Sequence, residues 1–400
     1  MRAVELFVGA GGLALGVSAA GFGHEALVEW DADACETIRE NQRRGVHPTT
    51  KWPVHEMDVA DFDYMEVAPG LDLLAGGPPC QPFSLGGKHR GHRDTRNLWP
   101  EALRAVRALH PKALLFENVK GLARPSFSDY FEYIRLQLAY PEFVSRKAEG
   151  WQDHLGRLRR HEIKGRDRQP EYAVRWNILN AADYGVPQRR ERVFIVAVRS
   201  DLGIAWSFPD PTHSQDALLR DQWVTGEYWE RHGVSKRRRP KTPEQLRPRI
   251  DKIRSLCAFG TQPWRTVRDA LLELPDPGRK TNSEAVLNHR FNPGARAYPG
   301  HTGSPLDEPA KALKAGVHGV PGGENMLAHE DGTVRYFTVR ECARIQTFPD
   351  RYSFHGCWSE AMRQLGNAVP VELARCVATE VRARLERSHG KATSADRRAV

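Results

Sequence analysis

Three short stretches carry side chains whose types suit bond-making chemistry. "GGPPCQPFS" sets Cys80 behind two glycines and two prolines. Gly-Gly-Pro-Pro cannot continue a helix or a central strand, so it reads as a stiff turn that ends the apolar run at residues 71–75. A cysteine fixed by such a turn can serve as a nucleophile. A small buried filler is the commoner role of a free cysteine, and the turn alone does not choose between them. "LLFENVKG" places Glu117 at the C-terminal end of a strand, with Asn118 beside it. A carboxylate there is costly to desolvate unless it has a partner or a task, and ligands of open α/β sheets bind at such strand ends. "GVPQRRERVFIVAV" runs Gln188, Arg190 and Arg192 into a buried strand. Period-two alternation puts the three on one face, although a solvated edge with surface ion pairs would read the same way.

A fourth stretch, "FVGAGGLA", follows the first strand and opens the first helix. Gly9, Gly11 and Ala14 satisfy the dinucleotide spacing, and Glu29 ends the second strand. Glycines let a ligand approach the backbone, the helix start offers N–H donors, and the carboxylate can take ribose hydroxyls. Trp30 could pack on an adenine face and Asp58 could accept from its amino group. A nicotinamide or flavin nucleotide fits these features, and so does S-adenosylmethionine. A glycine turn made for packing is the plainer alternative.

The elements that must hold these groups follow from the pattern. Strands are expected at 3–8, 24–29, 71–75 and 112–117, with 172–179 and 192–198 as a closing pair. Helices are expected at 13–20, from an Asp31 cap to Arg43, and at 97–109 and 127–138. Alternating strand and helix predicts an α/β fold, an open and mostly parallel sheet covered on both faces. The pattern stops near residue 205. Residues 205–335 are rich in proline and glycine and hold the basic block "SKRRRPK" at 235–241. Periodicity returns at 338–345 and 367–385, and the polar tail at 389–400 is expected to be disordered. The charged stretch 141–170 reads as a surface insertion.

The 400 residues suggest two domains, or one large domain with a sizeable insertion. A formal charge of +9 points to a polyanionic partner, nucleic acid before membrane. The six cysteines make no Cys-x-x-Cys pair and no zinc spacing, which predicts a reducing compartment, no disulfide framework and no metal. Glu5 interrupts the only signal-like run, at the N-terminus, and no run is long enough for a bilayer, so a cytoplasmic protein without membrane attachment is expected.

In this order along the chain, "ELFVGAGGL", "VEWDADACETIREN", "MDVADF", "GGPPCQPFS", "FENV", "NAADYGVPQRRERVFIVAV", "VRECARIQTFPD" and "QLGNAVPV" resemble the DNA cytosine-5 methyltransferase family of the bacterial restriction–modification type. The resemblance implies a Rossmann-like S-adenosylmethionine-dependent methyltransferase domain over 1–204, completed by 336–388, and a smaller loop-rich target-recognition domain over 205–335. It implies methyl transfer to carbon 5 of a cytosine flipped out of double-stranded DNA, with Cys80 as nucleophile. Glu117 would hold a proton against ring nitrogen 3, and Arg190 and Arg192 would hold the ring carbonyl. Phe7, Gly9, Ala10, Gly11, Gly12, Glu29, Trp30, Asp58 and Asn367 would bind the cofactor. The loop after Cys80 would close over DNA. The basic residues 236–239, with Trp223, Tyr228 and Trp229, are candidate DNA contacts, or equally a solvated face and core aromatics. The expected enzyme is a monomer, with a restriction endonuclease of the same site as a possible companion. Transfer RNA as the substrate, or a non-catalytic DNA-binding member, are the alternatives within the family.

Overall fold

The computed structural model describes residues 1–79, 98–164, 170–255, 260–278, 285–299, 301–315 and 325–396. They fall into two compact units. The first holds residues 1–179, 191–209 and 374–400, and the second holds 180–190 and 210–373.

The first unit is built on a seven-stranded sheet: β1 (Arg2–Leu6), β2 (Gly23–Glu29), β3 (Val54–Glu56), β4 (Leu73–Gly76), β5 (Ala113–Val119), β6 (Tyr172–Asn180) and β7 (Glu191–Arg199), in the order β3-β2-β1-β4-β5-β7-β6. Its helices are α1 (Gly12–Ala19), α2 (Ala32–Arg43), α3 (Trp99–Leu109), α4 (Ser128–Ala139) and α5 (Trp151–Lys164). The runs Leu114-Leu115-Phe116 and Val193-Phe194-Ile195-Val196-Ala197 are completely buried, as strands covered on both faces require. Asp31 caps α2 by accepting from the N–H of Ala34, and α2 ends at Arg43 as the sequence indicates.

The strands from β3 to β5 run parallel and β7 runs antiparallel to β5. This reversal matters for the site. The parallel strands deliver their C-terminal ends to one edge of the sheet, and only a reversed neighbour brings its beginning there. Arg192, at the start of β7, therefore pairs with Val119 at the end of β5.

Residues 141–170 are not a bare surface excursion. They include α5, which docks on α4 through a cluster of Leu136, Ala139, Tyr140, Leu155 and Leu158. His154 is buried between the Tyr133 hydroxyl at 2.9 Å and the Phe143 carbonyl at 2.8 Å, and the Phe143 and His161 rings stack.

The second unit contains short strands, β8 (His213–Ser214), β9 (Gln262–Pro263), β10 (Ser304–Pro305), β11 (Met326–Ala328) and β12 (Val334–Tyr336). Between them lie α6 (Gln215–Arg220), α7 (Glu227–Arg231), α8 (Arg247–Arg254) and α9 (Val267–Leu271), and after them α10 (Val339–Ile345) and α11 (Trp358–Asn367). Of residues 336–388, expected to complete the first domain, 374–388 cluster with the first unit and 336–373 with this one. The cause is polar: Arg340 donates to the carbonyls of Leu287, Pro349 and Tyr352, and Asn288 bonds Phe354 in both directions. The last helix, α12, spans Val371–Asp396, so the expected disordered tail is helical over its described part. Within the first unit Arg382 of α12 donates to the Ala20 carbonyl at 3.0 Å. Among the described residues no helix is long and apolar enough to cross a membrane.

Candidate active site

The first unit gathers two sets of groups at the edge where its parallel strands end. One set lies past β1. Phe7 takes a positive φ of 58°, unusual for a bulky residue, and Gly9 and Gly11 follow at 56° and 81°. Three left-handed residues in five coil the chain from β1 directly into α1, whose N-cap is Gly11. A Cβ built on Gly9 would meet nothing within 4 Å, so the loop leaves open space where a ligand can reach the backbone. Ala10, Gly11 and Gly12 are buried beneath it.

Glu29 fastens this loop to β2. Its Oε2 accepts from the Gly9 N–H at 2.8 Å, and its Oε1 accepts from the N–H groups of Trp30 at 3.0 Å and Asp31 at 2.9 Å. Burial pushes its carboxyl up, and the Gly9 N–H works against that. Trp30 stands 74% exposed, leaving a ring face available for stacking. Asp58 lies two residues beyond β3, exposed, and caps a short turn by accepting from the N–H of Ala60. The Met57 N–H bonds the Glu29 carbonyl, which keeps Asp58 at the same edge.

The second set lies past β4 and β5. Arg192 Nε sits 3.0 Å from Glu117 Oε1. The pair is nearly enclosed, with side chains 16% and 9% exposed. Burial pulls the Arg192 guanidinium below its ordinary value, and Glu117 opposes that. The other carboxylate oxygen, Oε2, is turned toward Gly77, where a Cβ would stand 3.6 Å away. Asn118 donates from Nδ2 to the Pro78 carbonyl at 3.0 Å. The turn that leads to Cys80 is thus tied, at its described end, to the strand carrying Glu117. Gly76 is required for a different reason: a Cβ there would lie 2.7 Å from the Leu6 carbonyl of β1. Cys80 itself and the basic loop after it lie outside the described residues.

Two expected site residues belong to the second unit and have other surroundings. Arg190 is fully buried, with Nη1 on the Leu313 carbonyl at 2.9 Å and Nη2 on the carbonyls of Gly366 at 2.6 Å and Ala368 at 3.0 Å. Expected beside Arg192 on a substrate ring, it is instead a clamp on main-chain carbonyls. Asn367 is the exposed last residue of α11, set between the two residues that Arg190 grips. The clamp continues through Gln188, which donates to Gln346 Oε1 at 3.0 Å and accepts from the Leu313 N–H at 3.0 Å.

The candidate aromatics of the second unit resolve to core. Tyr228 and Trp229 are buried with Leu218 and Trp264, and Trp223 packs against them. Lys236, Arg237 and Arg238 are exposed. Sequence reading took Glu5 only as a break in the N-terminal run; it is a fully buried carboxylate in β1, 3.4 Å from His24 Nε2, and burial pushes its carboxyl up. Its signal was an acidic residue inside an apolar strand, "AVELF".

The sheet, with its glycine loop and its reversed strand β7, is of the Rossmann-like α/β class. The chain matches the model of the C-5 cytosine-specific DNA methylase family over residues 1–141 and 161–383, and it belongs to that family. The unmatched stretch falls in the α5 insertion. The type II methyltransferase M.NgoMIV of Neisseria gonorrhoeae is 31% identical over 387 residues, covering 94% of this chain and 96% of that one. M.Eco47II of Escherichia coli, also a type II methyltransferase, is 34% identical over 384 residues, 94% of this chain and 78% of that one. Among solved structures the S. pombe Dnmt2 methyltransferase shares the fold, with a TM-score of 0.54 at 16% identity over 96% of this chain and 99% of that one. The activity is that of a DNA cytosine-5 methyltransferase.

Proposed function

We propose that this enzyme methylates carbon 5 of a cytosine extruded from a specific double-stranded DNA sequence, through a reversible bond to Cys80. The observation that carries the reading is the enclosed Glu117–Arg192 pair, at the strand end to which the lead-in of Cys80 is tied.

The residues past β1 fit S-adenosylmethionine: the open backbone at Gly9, the bonded carboxylate of Glu29, the bare Trp30 ring and the Asp58 carboxylate suit a ribose and an adenine. That cofactor would supply an electrophilic methyl group. Phe7, Ala10, Gly11 and Gly12 shape the cradle.

Carbon 5 of cytosine is a poor nucleophile. Addition of the Cys80 thiolate at carbon 6 turns the ring into an enamine and moves electron density to carbon 5. Glu117 holds a proton at ring nitrogen 3 and accepts from the amino group, general acid work of the kind worth ~10²–10⁴-fold in rate. Arg192 steadies the ring carbonyl and orients Glu117. Arg190 acts through the main chain, as a positioning residue for the turn that bears Asn367. The base must leave the stack to reach such a site. The type II designation of the relatives supports a role in protecting DNA against a restriction endonuclease of the same site. A monomer acting in the cytoplasm completes the reading.

The test is methyl transfer from S-adenosylmethionine to plasmid DNA, with the site mapped by bisulfite sequencing. Cys80→Ser is expected to abolish transfer and retain cofactor binding, and Glu117→Gln to slow turnover at least ~100-fold. Full activity of the serine variant, or transfer only to transfer RNA, overturns the reading.

A further inference from the structure

The burial of Tyr228 and Trp229 removes the aromatic partners of the basic block at 235–241 and raises the question of where the second unit offers rings and cations together. One loop does. Phe291 and Tyr298 are each 48% exposed, and Arg290 and Arg296 are exposed within the same stretch. Neither arginine has an acidic partner among the described residues. Several other exposed or half-buried arginines of the unit are paired, as in Arg249–Asp216, Arg268–Asp307 and Arg344–Asp350, while Arg237, Arg238, Arg265 and Arg351 share the lack of an acidic partner among the described residues.

The loop is held firmly at its base. His289 is fully buried between Thr338 Oγ1 at 2.8 Å and the Pro275 carbonyl at 2.7 Å, and the Asn288 carbonyl accepts from the Arg340 N–H. At its far end Tyr298 and His301 exchange main-chain hydrogen bonds, and their rings lie 4.3 Å apart. Rings and cations on a braced loop lose little entropy on binding. Beside the loop runs an open groove of about 410 Å³, lined by Asn292, Tyr336, Trp358 and the exposed thiol of Cys357 among others. Among the described residues its walls are aromatic and uncharged polar groups, with no carboxylate to repel a phosphate.

We propose that the 290–299 loop and its groove are the surface with which the second unit grips duplex DNA. Arg290 and Arg296 meet phosphates, and Phe291 and Tyr298 lie against sugars and base edges. Unpaired cations supply salt-dependent affinity, and aromatic faces add sequence-tolerant contact. The inference rests on the DNA methyltransferase activity and goes beyond it by naming the residues.

Two experiments on the full chain test it. In the first, a labelled duplex carrying the bisulfite-mapped site is titrated with each protein at several salt concentrations. Arg290→Ala with Arg296→Ala is expected to weaken binding at least ~10-fold and to lower the salt slope by about 2, while S-adenosylmethionine binding stays unchanged. Arg237→Ala with Arg238→Ala is expected to change binding less than ~3-fold. The opposite ranking overturns the proposal. In the second, the wild-type enzyme is alkylated with iodoacetamide and the modified cysteines are mapped by mass spectrometry. The Ser359 hydroxyl holds the Cys357 thiol below its ordinary value, so it is a ready reporter. The duplex is expected to slow modification of Cys357 at least ~5-fold and leave Cys376 unaffected. Unchanged Cys357 labelling under saturating duplex, or protection by transfer RNA but not by duplex, overturns the proposal. If the wild type methylates DNA and Cys357 stays unprotected, this surface is wrong and the activity stands. If no DNA is methylated, the activity itself has failed.

Discussion

The two units solve the same problem with different materials. In the first, main-chain groups pair in a seven-stranded ladder and the side chains between helices and sheet are apolar: Leu6, Leu114, Phe116 and Ile195 are all but sealed from water. In the second, strands are two or three residues long, and many carbonyls have no ladder to join. Buried polar side chains take their place. Arg340 satisfies three carbonyls, Arg190 three more, and Gln188 and Gln346 tie the segments together. A buried carbonyl without a donor is costly, and a guanidinium offers five donors in a rigid fork, so arginine does in a loop-rich core what the ladder does in a sheet. A basic composition thus has two uses here, and only one of them concerns DNA.

This contrast can be broken by exchanging the kind of damage. Phe116→Ala opens a cavity in the apolar unit and is expected to cost about 3–5 kcal/mol of stability, measured by urea unfolding. Arg340→Met keeps the bulk and removes the donors. It should cost about 3 kcal/mol, with faster hydrogen exchange around residues 287–289 and 349–354, and Arg340→Lys should recover little because an ammonium cannot span three carbonyls. If methionine is tolerated, polar clamping is not what holds the second unit. Smaller effects sharpen the comparison at helix ends. Thr338 caps α10 within a capping box and also bonds the buried His289, whereas Asp31 caps α2 by accepting from the Ala34 N–H. Thr338→Ala is expected to cost about 2 kcal/mol and Asp31→Ala about 1 kcal/mol, by the same unfolding measurement. The smallest test is chemical. Burial pushes the Cys35 thiol of the first unit up to about 12, while hydrogen bonds pull Cys357 of the second unit down. Between pH 6 and pH 8 alkylation should rise at Cys357 and stay negligible at Cys35.

The same difference decides what could be read from the residues. Strands such as "ALLFENV" and "RVFIVAV" announce themselves through apolar runs, and the Asp31 cap through its position, because in the first unit the stabilising groups are the patterned ones. Glu117 and Arg192 stand out in the sequence because a charge at a buried strand end needs a reason. That they meet follows from the reversal of β7, which no local signal carries. For Arg190, a clamp and a catalytic guanidinium look alike in sequence; what the sequence does not carry is the three carbonyls that its donors meet. Tyr228 and Trp229 were ambiguous for a similar reason, since α7 is too short to show a face. The α5 segment was missed because its anchors, Tyr140, Leu155 and Leu158, are few and spread among charges.

That last segment has a practical consequence. α5 brings its own small aromatic and aliphatic anchor, and it sits where the family pattern is interrupted. It is therefore a natural graft point: a fluorescent or affinity module spliced in near residues 146–150 would ride on α4 and leave turnover intact.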